Sequence, residues 1–268
     1  MSNHDIGFNA ITKNMTQKNG GYFAKIPDSW RQGRTAYGGL TAGLALSAAH
    51  RAMPDLPPLR SANINYIGPV TDDPVFQTSL LRKGRNVTTV KVVGSIGDNI
   101  IVDIVFTFGN KRESLLNEAF KIKNPANPED CEPFTPKAIE GFVPKFFLRF
   151  ETQLIEGARP VSGADEGYIR AWSRHKDPAS RGGVMSLLTL SDVLPPAAMP
   201  MLTKFGPVSS INFLLNFVTD NPQTKDGWWQ VESKMTVAQN GYSSQVMRIF
   251  NFDGELVAEG VQLVALFI

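Results

Sequence analysis

The chain has 268 residues, 42% of them hydrophobic and 19% charged, and its 27 Lys plus Arg against 25 Asp plus Glu leave a net charge of +2. That balance gives no long-range electrostatic reason to bind nucleic acid or an anionic membrane, and the composition is that of a globular protein with room for two modest domains or one fused one. The single cysteine, Cys131, excludes an intrachain disulfide; with no basic-then-apolar leader after Met1 and no run near the ~20 apolar residues that span a bilayer, a cytoplasmic protein without membrane insertion is expected.

In chain order, residues 22–26 are strand-like. Tyr37-Gly38-Gly39 then opens a helical stretch to His50 that is apolar nearly all round, with Leu40, Ala42, Leu44, Ala45, Leu46, Ala48 and Ala49. A helix of that kind has to be buried. Apolar alternation marks 61–67 as a strand, and strand-like runs follow at 75–81, 87–94 and 100–108, joined by turns at Gly84-Arg85-Asn86 and Asp98-Asn99. The Pro-rich, aperiodic stretch from Asn124 to Pro133 reads as linker. Beyond it come strand-like runs at 146–155 and 168–173, and a second Gly-Gly stretch, Arg181-Gly182-Gly183 onward to Leu194, expected to be helical. Strands are expected at 210–215, 229–237, 243–250 and 256–267, with turns at Gln239-Asn240-Gly241 and Asp253-Gly254.

The second series repeats the first. Gly38 falls on Gly182 at an offset of 144, Asn65 on Asn212 at 147 and Asp98 on Asp253 at 155, so the second copy has gained residues in its loops. Each copy is short strands, one apolar helix and about four long strands. The expected architecture is α+β: two units, each a long helix wrapped by a curved antiparallel sheet, at residues 1–123 and 144–268 with a linker at 124–143. Pairing the two units edge to edge into one continuous sheet would hide their exposed edge strands. At the helix offset Ser47 falls on Ser191 and Ala48 on Asp192, so one copy alone carries an acid there.

These residues resemble a known family, the type II (TesB-like) acyl-CoA thioesterases, which have a double hot-dog fold. In the first half the resemblance is carried by Tyr37-Gly38-Gly39 and Gly84-Arg85-Asn86. In the second half it is carried by Leu190-Ser191-Asp192-Val193-Leu194-Pro195, Ser209-Ser210-Ile211-Asn212 and Val261-Gln262-Leu263-Val264. The resemblance implies hydrolysis of acyl-CoA to free fatty acid and coenzyme A, with Asp192, Ser210 and Gln262 as catalytic residues around a water, and a homodimer or larger assembly. Two positions depart from the pattern. Ser210 stands where the family usually has Thr and keeps the hydroxyl; Phe213 stands where the family often has His.

Each candidate residue has a plainer reading beside the functional one. Asp192 is either a helix-terminal residue facing water before Pro195-Pro196 or a buried carboxylate with the raised pKa of a general base. Gln262, the one polar residue from Val261 to Ile268, either bonds a neighbouring loop or holds a catalytic water; its counterpart at an offset of 155 is Thr107. Ser210 is a strand-start hydroxyl or a water ligand. Gly38, Gly39 and Gly183 either allow close packing or expose helix N-termini that hold the negative charge developing on substrate. Arg82, Lys83 and Arg85 are a solvated turn or ligands for the phosphates of coenzyme A. His4, His50 and His175 sit in no nucleophile or hydratase motif, no Gly-x-Ser-x-Gly elbow occurs, and nothing has metal-ligand spacing, so no metal or cofactor is expected. A non-catalytic acyl-CoA-binding protein and, below it, an enoyl-CoA hydratase are the competing readings.

Overall fold

The computed structural model describes residues 6–123, 127–136 and 143–268. A short helix, α1 (Phe8–Lys13), and strands β1 (Thr16–Lys18) and β2 (Gly21–Phe23) lead to a small ribbon, β3 (Arg31–Gln32) and β4 (Thr35–Ala36). Helix α2 (Gly38–Ala52) follows, then β5 (Leu59–Tyr66), β6 (Val75–Lys83), β7 (Val87–Ile96) and β8 (Asn99–Gly109). The second half contains β9 (Glu132–Pro133), β10 (Phe150–Gly157), β11 (Tyr168–His175), helix α3 (Val184–Leu190), β12 (Val208–Phe217), β13 (Trp229–Gln239), β14 (Tyr242–Phe250) and β15 (Leu256–Leu266). All but β3 and β4 join one antiparallel sheet in the order β1-β2-β6-β7-β8-β5-β12-β15-β14-β13-β11-β10-β9.

That order reads alike outward from the β5–β12 seam, where Asn65 faces Asn212 and Ile64 faces Phe213. Asn65 and Asn212 are duplicates of each other, so a pseudo-twofold passes between them. The edge strands of the two units pair there, as the sequence suggests.

Helix α2 packs against β6, β7 and β8, and against α3. Residues 39–49 are all buried, as an all-apolar helix demands. The helix can lie so close to the second half because it has no side chain at two contact points. A Cβ on Gly39 would stand 2.3 Å from the Thr189 carbonyl oxygen, and one on Gly43 2.0 Å from Thr189 Oγ1. One continuous cluster of buried apolar side chains runs through both halves.

Four expectations are corrected. The second helix is not long: it starts only after Gly183, held at φ +84, and ends at Leu190, so Asp192 lies in the turn beyond it. Pro195 and Pro196 follow too closely for another helical turn. Residues 145–149 form a 3₁₀ turn that buries Phe146 and Phe147, so that strand begins at Phe150. The first strand-like run shortens to β2: Ala24 N–H still donates to the Pro74 carbonyl, but Pro74 has no N–H to continue the ladder and Ile26 N–H donates to Asp73 Oδ1 instead. Part of the linker, Glu132–Pro133, adds to the sheet edge beside β10; its residues 124–126 and 137–142 lie outside the described residues.

Candidate active site

The turn after α3 sets Asp192 against the N-terminus of α2. Val193 N–H donates to the Leu190 carbonyl at 2.9 Å and closes that turn. A Cβ on Gly38 would stand 2.8 Å from Asp192 Oδ2 and 3.0 Å from the Tyr66 hydroxyl. Glycine at 38 therefore leaves the space the acid occupies. The Gly39 backbone N–H donates to the same carboxylate, and the partial positive charge of the helix end favours it. Asp192 as a residue is only partly buried, yet its carboxyl group lies under enough protein that burial pushes its pKa from 3.8 up to about 7, against the pull of the Gln262 and Gly39 hydrogen bonds.

Ser210 reaches the acid through a β-bulge. Buried residues on β12 alternate as Phe213, Leu215 and Phe217, which would turn Ile211 inward and Ser210 outward. The register against β15 slips between Ser210 and Asn212. The extra residue reverses the alternation, so that Ile211 is 37% exposed and Ser210 joins the inner face; re-aiming a side chain is what a bulge does. On β15, Gln262 faces inward with Gly260 and Val264. Its Nε2 donates to Asp192 Oδ1 at 2.9 Å and to Ser210 Oγ at 3.1 Å. Three residues widely spaced in the chain thus form one hydrogen-bonded group.

Two neighbours escaped the sequence reading. Gln245 on β14 is directly opposite Gln262, and its Nε2 donates to Gln262 Oε1 at 2.7 Å. Its Oε1 accepts from the Ala197 backbone N–H at 2.7 Å. The signal was its parity: Ser243, Gln245, Met247 and Ile249 share the buried face of β14. Tyr66, at the end of β5, buries its hydroxyl without a partner beside Asp192. Burial, then the Asp192 charge, raises its pKa well above the ordinary tyrosine value. Tyr37 hydrogen-bonds the Thr189 carbonyl at 2.8 Å and stacks on Phe146 with ring centres 4.1 Å apart.

Of the remaining candidates, Gly38 and Gly39 adjoin Asp192 and the others lie elsewhere. The α2 N-terminus at Gly38 and Gly39 is turned to Asp192 rather than to open space, so it serves the acid. Gly183 begins α3 at the end away from Asp192, roughly 10 Å along a seven-residue helix. Arg82, Lys83 and Arg85 lie at the β6–β7 hairpin, where Arg82, Arg85 and Arg112 line a surface cavity of about 390 Å³. That hairpin is beside Gly109, seven residues along β8 from the Val102 that faces Tyr66, or about 20 Å. The counterpart of Gln262 is Val102 and not Thr107: Phe213 faces Gln262 as its duplicate Tyr66 faces Val102. His175 is buried, bonds the Ser186 carbonyl and has its pKa lowered to about 4, chiefly by burial. His50 packs edge-on against Phe108 with no partner for Nε2. Neither of these two side chains hydrogen-bonds a carboxylate, and His4 lies outside the described residues.

Comparison with known proteins agrees with this architecture. Among curated proteins none matches the chain significantly. Of solved structures, a conserved hot-dog-fold protein of unknown function from Alicyclobacillus acidocaldarius superposes with a TM-score of 0.85 at 19% identity, over 97% of this chain and 98% of that one. The acyl-CoA thioesterase II TesB2 of Mycobacterium marinum gives a TM-score of 0.72 at 17% identity, over 96% and 97% of the two chains. At these identities the likeness is one of fold, a double hot-dog. The model of the acyl-CoA thioesterase N-terminal domain matches residues 26–109, and that of the C-terminal domain matches residues 128–266. With both domains matched in order over most of its length, the chain belongs to the acyl-CoA thioesterase family.

Proposed function

We propose that the protein hydrolyses acyl-CoA thioesters to free fatty acid and coenzyme A in the cytoplasm, as a homodimer or larger assembly, with Asp192 as general base. One observation carries the reading: the Gln262 amide bridges Asp192 and Ser210. Both amide hydrogens are then engaged, so Ser210 accepts and its own proton is free for a water. That water gives one proton to Asp192 as its oxygen bonds the thioester carbon. The C–S bond then breaks with its electron pair on sulfur, and the thiolate takes the proton from Asp192. A base with a pKa near 7 is substantially ionised at neutral pH and still accepts a proton readily.

Release of thiol from a chain-length panel of acyl-CoA substrates tests the activity. Asp192→Asn keeps the shape without the base and is expected to cut turnover roughly 10²–10⁴-fold; full activity in that variant, or no thiol release by the wild type from any member, defeats the reading. Coenzyme A is a long ligand whose phosphates lie far from the thioester, which suits Arg82, Lys83 and Arg85 at about 20 Å. Alanine at Arg82 and Arg85 is expected to raise KM severalfold while kcat stays constant.

A further inference from the structure

The Gln262 amide can serve Asp192 only if its nitrogen faces the carboxylate, and nothing on β15 decides which way the amide lies. Oxygen and nitrogen of a glutamine are nearly the same in shape; the network around them sets the choice. Here the choice originates at a backbone group. The Ala197 N–H can donate and can never accept, and it lies 2.7 Å from Gln245 Oε1. The oxygen of Gln245 must therefore face Ala197, and its nitrogen must face across the strand pair. There it donates to Gln262 Oε1 at 2.7 Å. With its oxygen engaged, Gln262 has its nitrogen left for Asp192 and Ser210. Both glutamines are almost wholly enclosed, 1% and 4% exposed, so water does not offer either a cheap alternative partner.

We propose that Gln245 is a positioning residue, which carries the direction of the Ala197 N–H through two amides and holds the Gln262 nitrogen on Asp192 and Ser210. The inference deepens the hydrolytic reading and rests on it for its kinetic consequences, though not for its geometry.

Gln245→Glu nearly preserves shape and reverses polarity. The ionised carboxylate of that variant still accepts from Ala197 but has nothing to donate. Gln262 can then bond it only by turning its nitrogen away, which sets its oxygen against Asp192. Gln245→Leu removes the link without adding charge and leaves Gln262 free to turn. The groups facing Asp192 are the Gln262 amide from β15, the Gly39 N–H at the start of α2, Tyr37 before that helix and Tyr66 on β5. Both phenols have pKa values well above 10, so they stay protonated through the range in question.

Three measurements on the full-length protein test the proposal. In the wild type, proton NMR should place the Gln262 amide hydrogens next to the Ser210 β-protons; finding them against Gln245 instead overturns the proposal without any variant. The Asp192 carboxyl, followed by ¹³C NMR, should titrate at higher pH in Gln245→Leu and higher still in Gln245→Glu, because a donor that favours its ionised form is lost. In both variants kcat should fall about 10–100-fold, by analogy with the cost of losing a group that orients a metal ligand, with KM little changed and the acid limb of the pH–rate profile moved upward. A folded Gln245→Leu protein with the wild-type Asp192 midpoint and wild-type kcat overturns the proposal. If the wild type hydrolyses no thioester and the Asp192 midpoint still moves, the relay stands and the hydrolytic reading falls.

Discussion

Asp192 binds its proton more tightly in the folded protein, where its pKa is about 7, than in the unfolded chain at about 3.8. The folded state therefore holds the extra proton between those values. Its contribution to stability is greatest at low pH, declines as pH rises from roughly 4 to 7, and stays low above that. Asp192→Asn has no such dependence. The variant should melt above the wild type at about pH 8, and the gap should close toward about pH 4; a gap constant with pH would mean that the acid is not buried as described. Asp192 and Gln262 were legible in sequence as polar residues whose neighbours are largely apolar, whereas Ser210, between Ser209 and Ile211-Asn212, was singled out by the family resemblance alone. Gln245 was not legible, since Ser243 and Ser244 before it hide the inward parity that Met247 and Ile249 reveal. Tyr66 was missed because an aromatic residue at a strand end is commonplace until the acid beside it is known.

At the level of elements, glycines decide how α2 meets the second half, and the two in sequence should behave differently. Alanine at 39 would set its Cβ 2.3 Å from a backbone oxygen of Thr189, which can yield only if the two helices part. Overpacking of that kind costs about 1–3 kcal/mol, to be read as a lower urea midpoint. Alanine at 38 meets side-chain tips, Asp192 Oδ2 at 2.8 Å and the Tyr66 hydroxyl at 3.0 Å. Those can swing aside, so Gly38→Ala should lose less stability and most of its turnover; equal destabilisation by both would show that the two glycines do one job. The long strands and α2 were plain from periodicity. The length of α3 was not: its apolar pattern runs on past Leu190 through Val193 and Leu194, and only the tertiary position of the turn shows where it stops. The bulge at Ile211 was equally hidden, because one residue added to an apolar strand leaves composition unchanged.

Across the whole molecule, the duplication was readable in the Gly-Gly and Asn repeats, and the seam that joins the copies has a thermodynamic consequence. β5 and β12 pair from Asn65↔Asn212 to Ser61↔Asn216, with Ile64 0% and Phe213 1% exposed at adjoining positions. Separating the halves would bare two strand edges and divide one continuous core. Neither half should then hold its structure once the other is lost, and unfolding should be a single cooperative event. Phe213→Ala tests this at the seam. Truncating a buried Phe costs about 3–5 kcal/mol. If the halves are coupled, hydrogen exchange should accelerate by the same factor in β7 and β8, which Phe213 does not belong to, as in β14 and β15. Each 1.4 kcal/mol corresponds to about a tenfold faster exchange through global opening. Acceleration confined to β12–β15, with β7 and β8 as protected as in the wild type, would mean that two independent domains merely touch at β5, and that the acid site is built in one of them while leaning on the other through Gly38, Gly39, Tyr37 and Tyr66.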